Sequence, residues 1–194
     1  MSAPTRPHAK PSTGLLDTLN TRHHKVALTA FGLLVVAHWA EHLAQAVQIY
    51  IYHWPLPEAR GVLGIPFPWL VKSEWMHYGY ALLMLAGFLL LRPGFTGRAR
   101  TWWDVALGIQ IWHHLEHLLL LVQAQSGTFL LDRTVPTSIV QLAFPRVELH
   151  LFYNALVTIP MLVAMALHRR PHPEGAPAPR CDCAAPRALA TQPA

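Results

Sequence analysis

Four long apolar segments alternate with shorter polar or proline-rich stretches along the chain. Each is close to the ~20 residues that an α-helix needs to cross a lipid bilayer. In order, they cover about residues 25–53, 73–92, 101–125 and 146–168. Charged residues make up 13% of the chain, about half the ~25% that is usual in soluble domains. The pattern therefore predicts an all-α fold in which residues 25–170 form a polytopic membrane four-helix bundle.

The two ends of the chain have a different composition. Residues 1–24 and 171–194 are polar and rich in proline, so we expect both to be disordered tails. The first of them lacks the continuous apolar stretch of a cleavable signal peptide. The first apolar segment is therefore expected to remain as a membrane helix.

The placement of lysine and arginine predicts the orientation of the helices. Of the 15 such residues, eleven lie in the two tails or between the second and third helices, and four lie in the other two loops. Membrane proteins keep this excess on the cytoplasmic side. We therefore expect a multi-pass protein of the inner cell membrane, with both termini cytoplasmic and the lipid bilayer as its partner. The basic residues lack the dense basic face of a nucleic-acid binder, so no nucleic-acid partner is expected.

The first and third segments share an eleven-residue pattern, H-x-x-E-H-L-x-x-x-V-Q, at an offset of 75 residues. It starts at His38 in the first segment and at His113 in the third. The second and fourth segments share H-x-x-Y, starting at His77 and at His150, at an offset of 73 residues. The chain is therefore predicted to consist of two tandem two-helix repeats, related by an axis along the membrane normal.

The polar residues of the shared patterns are the candidate functional residues. At ~100° per residue, the first histidine, the glutamate and the second histidine of the longer pattern fall within a helix sector of about 100°. A charged side chain near the membrane centre costs at least ~2.5–3.5 kcal/mol, so such residues face the bundle interior and need partners there. Imidazole is also the commonest metal ligand. The predicted metal ligands are His38, Glu41, His42, His77, His113, Glu116, His117 and His150.

Eight ligands are too many for one tetrahedral zinc ion. They suit two transition-metal ions, each with about three histidines, and with the glutamates bridging or capping. Iron is the expected metal, and copper or zinc are alternatives that imidazole also accepts. Tyr80 and Tyr153 would donate protons or electrons beside the metals, and the pattern leaves the role of His114 open. A hydrogen-bonded polar network without metal is the competing interpretation.

The ligand set resembles that of the histidine-rich membrane oxygenases, the desaturases and alkane hydroxylases, whose motifs are H-x-x-x-H and H-x-x-H-H. His38 and His42 match the first motif, whereas His113-His114-x-x-His117 reverses the second. This chain is shorter, and its histidines lie inside the apolar segments rather than in cytoplasmic ones. The resemblance covers the motif type alone, and it implies oxidative metal chemistry.

These residues lead to several hypotheses about function. The first is a metal-dependent membrane oxidoreductase, di-iron or dicopper, that acts on O2 and a small or lipophilic substrate, or with a redox partner. The second is an electron-transfer protein that binds haem b. The third is a transporter or sensor for a transition metal or protons, although no second ligand cluster is expected near the cytoplasmic face. A metalloprotease is disfavoured, because two symmetric copies exceed the one site that a peptidase needs.

Other residues are expected to have ordinary roles. Trp103 is typical of an aromatic belt at the membrane interface. His24 and His168 lie beside basic helix ends, where we expect them to be solvated. The two cysteines, Cys181 and Cys183, are too close in sequence for an easy disulfide, so no disulfide framework is expected. An exposed metal-binding Cys-Asp-Cys segment is the alternative.

Overall fold

The computed structural model describes residues 14–170 together with Cys181 and Cys183, and the rest of the two predicted tails lies outside the described residues. All regular elements in this part of the chain are helical, and the four long helices begin and end within four residues of the predicted bounds. Three short 3-10 turns cover Arg92–Gly94, Leu130–Asp132 and Val140–Leu142. The α-helices are α1 (Leu15–Asn20), α2 (His24–Tyr50), α3 (Trp69–Lys72), α4 (Glu74–Leu91), α5 (Gly97–Ser126) and α6 (Arg146–His168).

Four of these helices, α2, α4, α5 and α6, are long and apolar enough to cross a membrane. Large apolar side chains cover their outward faces, and many are about half exposed, among them Leu33, Leu83, Ile111 and Phe152. An apolar surface of this extent is unfavourable in water and typical of contact with lipid. The chain is therefore a membrane protein with four candidate membrane-spanning helices.

We call the end of the bundle where α2 begins and α6 ends the terminal end, and the opposite end the loop end. The half next to the terminal end has an aromatic core. The ring centroid of Phe88 lies 5.2 Å from that of Phe31 and 4.8 Å from that of Trp103. Trp103 is fully buried and donates its indole N–H to the carbonyl of Phe88 at 2.9 Å. The predicted interfacial position of Trp103 was wrong, because its polar N–H finds a partner inside the bundle.

The N-terminal segment is ordered where it meets the bundle. Residues 15–20, which we expected to be part of a disordered tail, form α1. Asn20 is buried; its side-chain amide donates to the carbonyl of Leu90 at 2.8 Å, and its side-chain oxygen accepts the N–H of Gly94 at 3.0 Å. The first bond satisfies a carbonyl in the last turn of α4, and the second attaches Asn20 to the 3-10 turn that follows α4. The expectation of a disordered tail was therefore wrong for this helix.

Gly87 allows a close approach between α4 and α2. A Cβ at Gly87 would overlap the ring of Phe31, whereas a Cβ at Gly79, on the same helix, would meet nothing within 4 Å. We expect Gly87→Ala to lower the free energy of unfolding by about 1–3 kcal/mol, because the Phe31 ring must leave its packed position. Reversible unfolding in mixed detergent micelles measures this effect.

Gly79→Ala is the matched control. It should leave the free energy of unfolding unchanged or raise it by up to ~1 kcal/mol, because alanine has the higher helix propensity. Equal losses of stability in the two variants would contradict the packing of Phe31 against Gly87.

Candidate metal centre

Six histidines from all four long helices converge in the half of the bundle next to the loop end. The i,i+4 spacing brings two of them together on α2 and two on α5. One more comes from the first two turns of α4 and one from the first two turns of α6. The ring centroid of the buried His150 lies 5.1 to 6.2 Å from those of His42, His77, His113 and His117. The six are His38, His42, His77, His113, His117 and His150.

Three of these histidines are close enough to bind one ion together, and we call His113, His117 and His150 the enclosed triad. One ligand atom from each lies within 4.8 Å of the other two. The Nε2 atoms of His113 and His117 are 3.1 Å apart. Nδ1 of His150 contacts the carbonyl oxygen of Arg146 at 2.8 Å, and its buried Nε2 has no hydrogen-bond partner among the described residues. Such a backbone contact fixes the ring orientation of metal-ligating histidines.

The other three histidines repeat parts of this arrangement in the first half of the chain. The Nε2 atoms of His38 and His42 are 3.1 Å apart, the same separation as in the enclosed triad. Nδ1 of His77 contacts the carbonyl oxygen of Ser73 at 3.0 Å, as His150 does with Arg146. The ligand atoms of these three histidines do not all lie within 4.8 Å of one another, as those of the enclosed triad do.

Two cavities adjoin the histidines. A small cavity of about 20 Å³ lies between His38, His77 and the enclosed triad, with room for one water-sized species. A larger pocket of about 410 Å³ lies between α2, α4 and α6 and is bordered by His38, His42, His77 and His150. His150 therefore belongs to both the enclosed triad and the wall of the larger pocket.

Glu41 and Glu116 hold the long loops that follow α2 and α5. The Glu41 carboxylate accepts the backbone N–H of Val62 at 2.8 Å and that of Leu63 at 3.0 Å. Oε1 of Glu116 accepts the N–H of Val140 at 2.9 Å. We expected these glutamates to bridge or cap metal ions. In the structure their oxygens make charge-assisted hydrogen bonds to loop backbone, and a role of the same carboxylates as metal ligands stays a prediction.

Gln48 and Gln123, the last residues of the shared pattern, are buried and also bind loop backbone. Gln48 donates to the carbonyl of Gly61 at 2.9 Å and accepts the N–H of Gly61 at 2.8 Å. Gln123 donates to the carbonyl of Thr137 at 2.9 Å and accepts the N–H of Thr137 at 3.2 Å. Sequence reasoning missed this role, although the pattern had marked both glutamines as equivalent positions.

Tyr80 and Tyr153 lie beside the histidines, as the shared H-x-x-Y pattern indicated. The Tyr80 ring stacks on His38 with centroids 3.8 Å apart, and the Tyr153 ring lies 4.5 Å from His113. The Tyr153 oxygen accepts the indole N–H of Trp112 at 2.8 Å. Each tyrosine therefore positions the first histidine of a pair, and a role in proton or electron donation stays a prediction.

His114 has a different environment from the six converging histidines. Its ring faces Tyr78, with centroids 5.2 Å apart. It is absent from the ligand groups formed by the described residues. Its position on the same helix as His113 and His117 makes it a useful control residue.

A second group of ligand-type side chains lies at the terminal end. His24 and His168 are 0% and 1% exposed, so the expectation that they are solvated was wrong. Cys181 and Cys183 are joined as a disulfide, which we did not expect. The sequence could not show that the cysteines return to the end of the bundle where α2 begins and α6 ends. The expectation of no second ligand cluster on this side was therefore also wrong.

Comparisons with known proteins do not identify the chemistry of these sites. The chain matches no protein-family model, and comparisons with curated proteins and with solved structures found no match either. The function is therefore inferred from the side chains and cavities themselves.

Gln123→Leu tests the attachment of the second long loop. The side-chain oxygen of Gln123 accepts the N–H groups of Leu130 at 2.9 Å and Thr137 at 3.2 Å. Each lost bond costs ~0.5–1.5 kcal/mol, so we expect faster hydrogen exchange at these two amides. Gln125→Leu is the control, because the Gln125 side chain is exposed on the same helix. Unchanged exchange at both amides in Gln123→Leu would contradict the anchoring role.

Proposed function

We propose that this protein is a membrane oxidoreductase whose metal centre is formed by histidines of all four membrane helices. The observation that carries the proposal is the enclosed triad directly beside a pocket of about 410 Å³. An ion on the triad would be adjacent to the occupant of the pocket, because His150 borders both. Pockets of ~300–1,000 Å³ typically hold small-molecule ligands.

The position and walls of the pocket favour a lipophilic substrate. Leu34, Val71 and Met76 contribute apolar surface, and the histidines and Arg146 contribute polar groups at one side. This combination suits a molecule with an apolar body and one reactive polar group. The surrounding bilayer concentrates molecules of this kind.

The donor atoms favour copper over iron at the enclosed triad. Non-haem iron oxygenases typically combine two histidines with one carboxylate, whereas imidazole by itself accepts zinc, copper, iron and nickel. Glu41 and Glu116 are already engaged by the long loops. Zinc has no redox chemistry, which leaves copper as the metal for an oxidoreductase and iron as the alternative. A second ion at His38, His42 and His77 stays a prediction.

Matched contacts in the two halves support the proposed duplication. The Nε2 separation of the paired histidines is 3.1 Å in both α2 and α5. In the first half Gln48 binds Gly61, 13 positions later in the sequence, and in the second half Gln123 binds Thr137, 14 positions later. Together with the excess of lysine and arginine at one end, this supports parallel repeats with both termini in the cytoplasm.

Haem b is less well supported than a bound ion. A bis-histidine haem needs its two ligands on opposite faces of the macrocycle. The paired histidines here are neighbours on one helix, with Nε2 atoms 3.1 Å apart. The cavity between the four helices has a volume of only about 20 Å³.

Removing single histidines tests the metal centre. We expect the purified protein to contain at least one copper or iron ion per chain, and His117→Gln and His150→Gln to lose it, because each removes a ligand of the enclosed triad. His114→Gln should keep the ion, since its ring faces Tyr78. Elemental analysis of monodisperse protein measures this. A folded bundle with less than one ion per chain would instead support the metal-free polar network.

Glu116→Gln separates the two roles considered for the glutamates. A glutamine oxygen can still accept the N–H of Val140, so the loop contact and the metal content should both be kept. Loss of the ion in this variant, with His114→Gln unaffected, would show that the carboxylate is a ligand after all.

Redox activity is the second test. Wild-type protein reduced with dithionite should return to its oxidised optical spectrum on exposure to O2, and it should consume O2 with a short-chain quinol as a lipophilic probe. Ala37→Trp places a large side chain in the pocket, so the ion should stay bound while quinol-dependent O2 consumption falls. Full zinc occupancy of the histidine centre without any redox response would contradict the oxidoreductase proposal and favour metal transport.

A further inference from the structure

Two imidazoles and two sulfur atoms meet at the terminal end of the bundle. His24 is the first residue of α2 and His168 is the last residue of α6. Nε2 of His168 lies 2.8 Å from Sγ of Cys183 and 3.0 Å from Sγ of Cys181. Ligand atoms of His24, His168 and Cys183 all lie within 4.8 Å of one another. Three ligand atoms therefore surround one point, and Sγ of Cys181 lies beside one of these residues, His168, although the four residues come from distant parts of the sequence.

The surroundings hold these side chains in place. The ring of Phe95 lies 4.7 Å from that of His168 and 5.5 Å from that of His24, and it separates them from the aromatic core. Gly94 leaves room for the imidazole of His24, because a Cβ at this position would overlap the ring. Cys181 is 8% exposed. The group is thus a built, largely buried site rather than an exposed cysteine motif.

We propose that His24, His168, Cys181 and Cys183 form a Cys2His2 site for Zn²⁺ that is separate from the histidine centre. Structural zinc sites use this ligand set in closed tetrahedral geometry, with Zn–S bonds of about 2.3 Å and Zn–N bonds of about 2.0–2.1 Å. These bond lengths place nitrogen and sulfur ligands about 3.6 Å apart. The observed separations of 2.8 and 3.0 Å are less than one ångström smaller. To admit the ion, the disulfide must first open, and the sulfur atoms must then move away from His168 and to about 3.8 Å from each other.

The zinc site and the disulfide exclude each other, because each sulfur either bonds to the other or binds the ion. Reduction by a dithiol transfers two electrons and two protons to the Cys181–Cys183 disulfide; two thiols form and the dithiol becomes a disulfide. Zn²⁺ then displaces the two thiol protons. Cytoplasmic thiols are kept reduced, which fits the proposed cytoplasmic side of the terminal end.

A bound ion would join parts of the chain that are far apart in sequence. His24 and His168 are separated by 144 positions, from 168 minus 24. The ion would tie the first residue of α2, the last residue of α6 and the cysteine pair together at the end of the bundle. Metal binding of this kind stabilises the folded state because the unfolded chain has no preformed site.

Cobalt titration tests the proposal on the full-length protein in detergent. The protein is reduced with dithiothreitol, freed of it by gel filtration without oxygen, and titrated with Co²⁺ as a spectroscopic substitute for Zn²⁺. We expect a thiolate-to-cobalt charge-transfer band that saturates at one equivalent per chain and disappears on addition of Zn²⁺. Protein with the disulfide intact should lack the band. The histidine centre cannot produce it, because it contains no sulfur.

Variants identify the ligands. Cys183→Ser should abolish the band. His24→Gln and His168→Gln should weaken Co²⁺ binding by more than ~10-fold, because removing a residue that only hydrogen-bonds to a metal ligand already costs about that much. His23→Gln is the matched control, because His23 is exposed and next to His24. Circular dichroism checks the helix content of each variant. If the histidine variants unfold, the wild-type titration still tests the proposal, because reduced and folded protein without the band would overturn it.

Two results would overturn the proposal. One is the absence of a charge-transfer band in reduced wild-type protein with intact helix content. The other is a band of full strength in folded His24→Gln and His168→Gln, which would mean that the cysteine pair binds metal without the bundle.

Discussion

Polar side chains within a membrane bundle have to find their partners inside the protein, because lipid offers none. This constraint organises the half of the bundle next to the loop end. Glu41 and Gln48 form hydrogen bonds with backbone groups of the first long loop. Glu116 and Gln123 form the corresponding bonds with the second long loop. The histidines of the same pattern turn toward one another. The eleven-residue pattern thus attaches both loops and supplies four of the six converging histidines.

The two halves of the chain bind their loops through the same residue types, but they leave different amounts of space beside the histidines. In the second half the triad is enclosed, and its three histidines approach one point. In the first half His38, His42 and His77 border the larger pocket, which extends to residues Arg60–Gly64 of the first loop. The two halves therefore differ in their surroundings, because the histidines of the second half approach one point and those of the first half line the pocket.

Hydropathy and helical geometry predicted the four long helices and the convergence of six histidines, because both depend on the spacing of residues along a helix. They could not predict the partners of Glu41 and Glu116. A helical wheel gives the face on which a carboxylate lies, but it does not give the path of a loop that folds back over that face. The buried position of Trp103 has the same cause, since its partner is the Phe88 carbonyl on another helix. The ligand pairing of His24 and His168 depends likewise on the ends of α2 and α6 meeting in space.

The existence of two ligand clusters bears on the difference between a resident cofactor and a transport path. A conducted ion would have to pass from the histidine centre to the terminal end. Between them, Phe31, Phe88 and Trp103 fill the bundle core and are almost fully buried. These three rings line neither the cavity of about 20 Å³ nor the pocket of about 410 Å³. Moving an ion across it would expose charge to apolar rings at a cost of several kcal/mol. The arrangement therefore supports the proposal of two separate sites, one at the histidines beside the pocket and one at the terminal end.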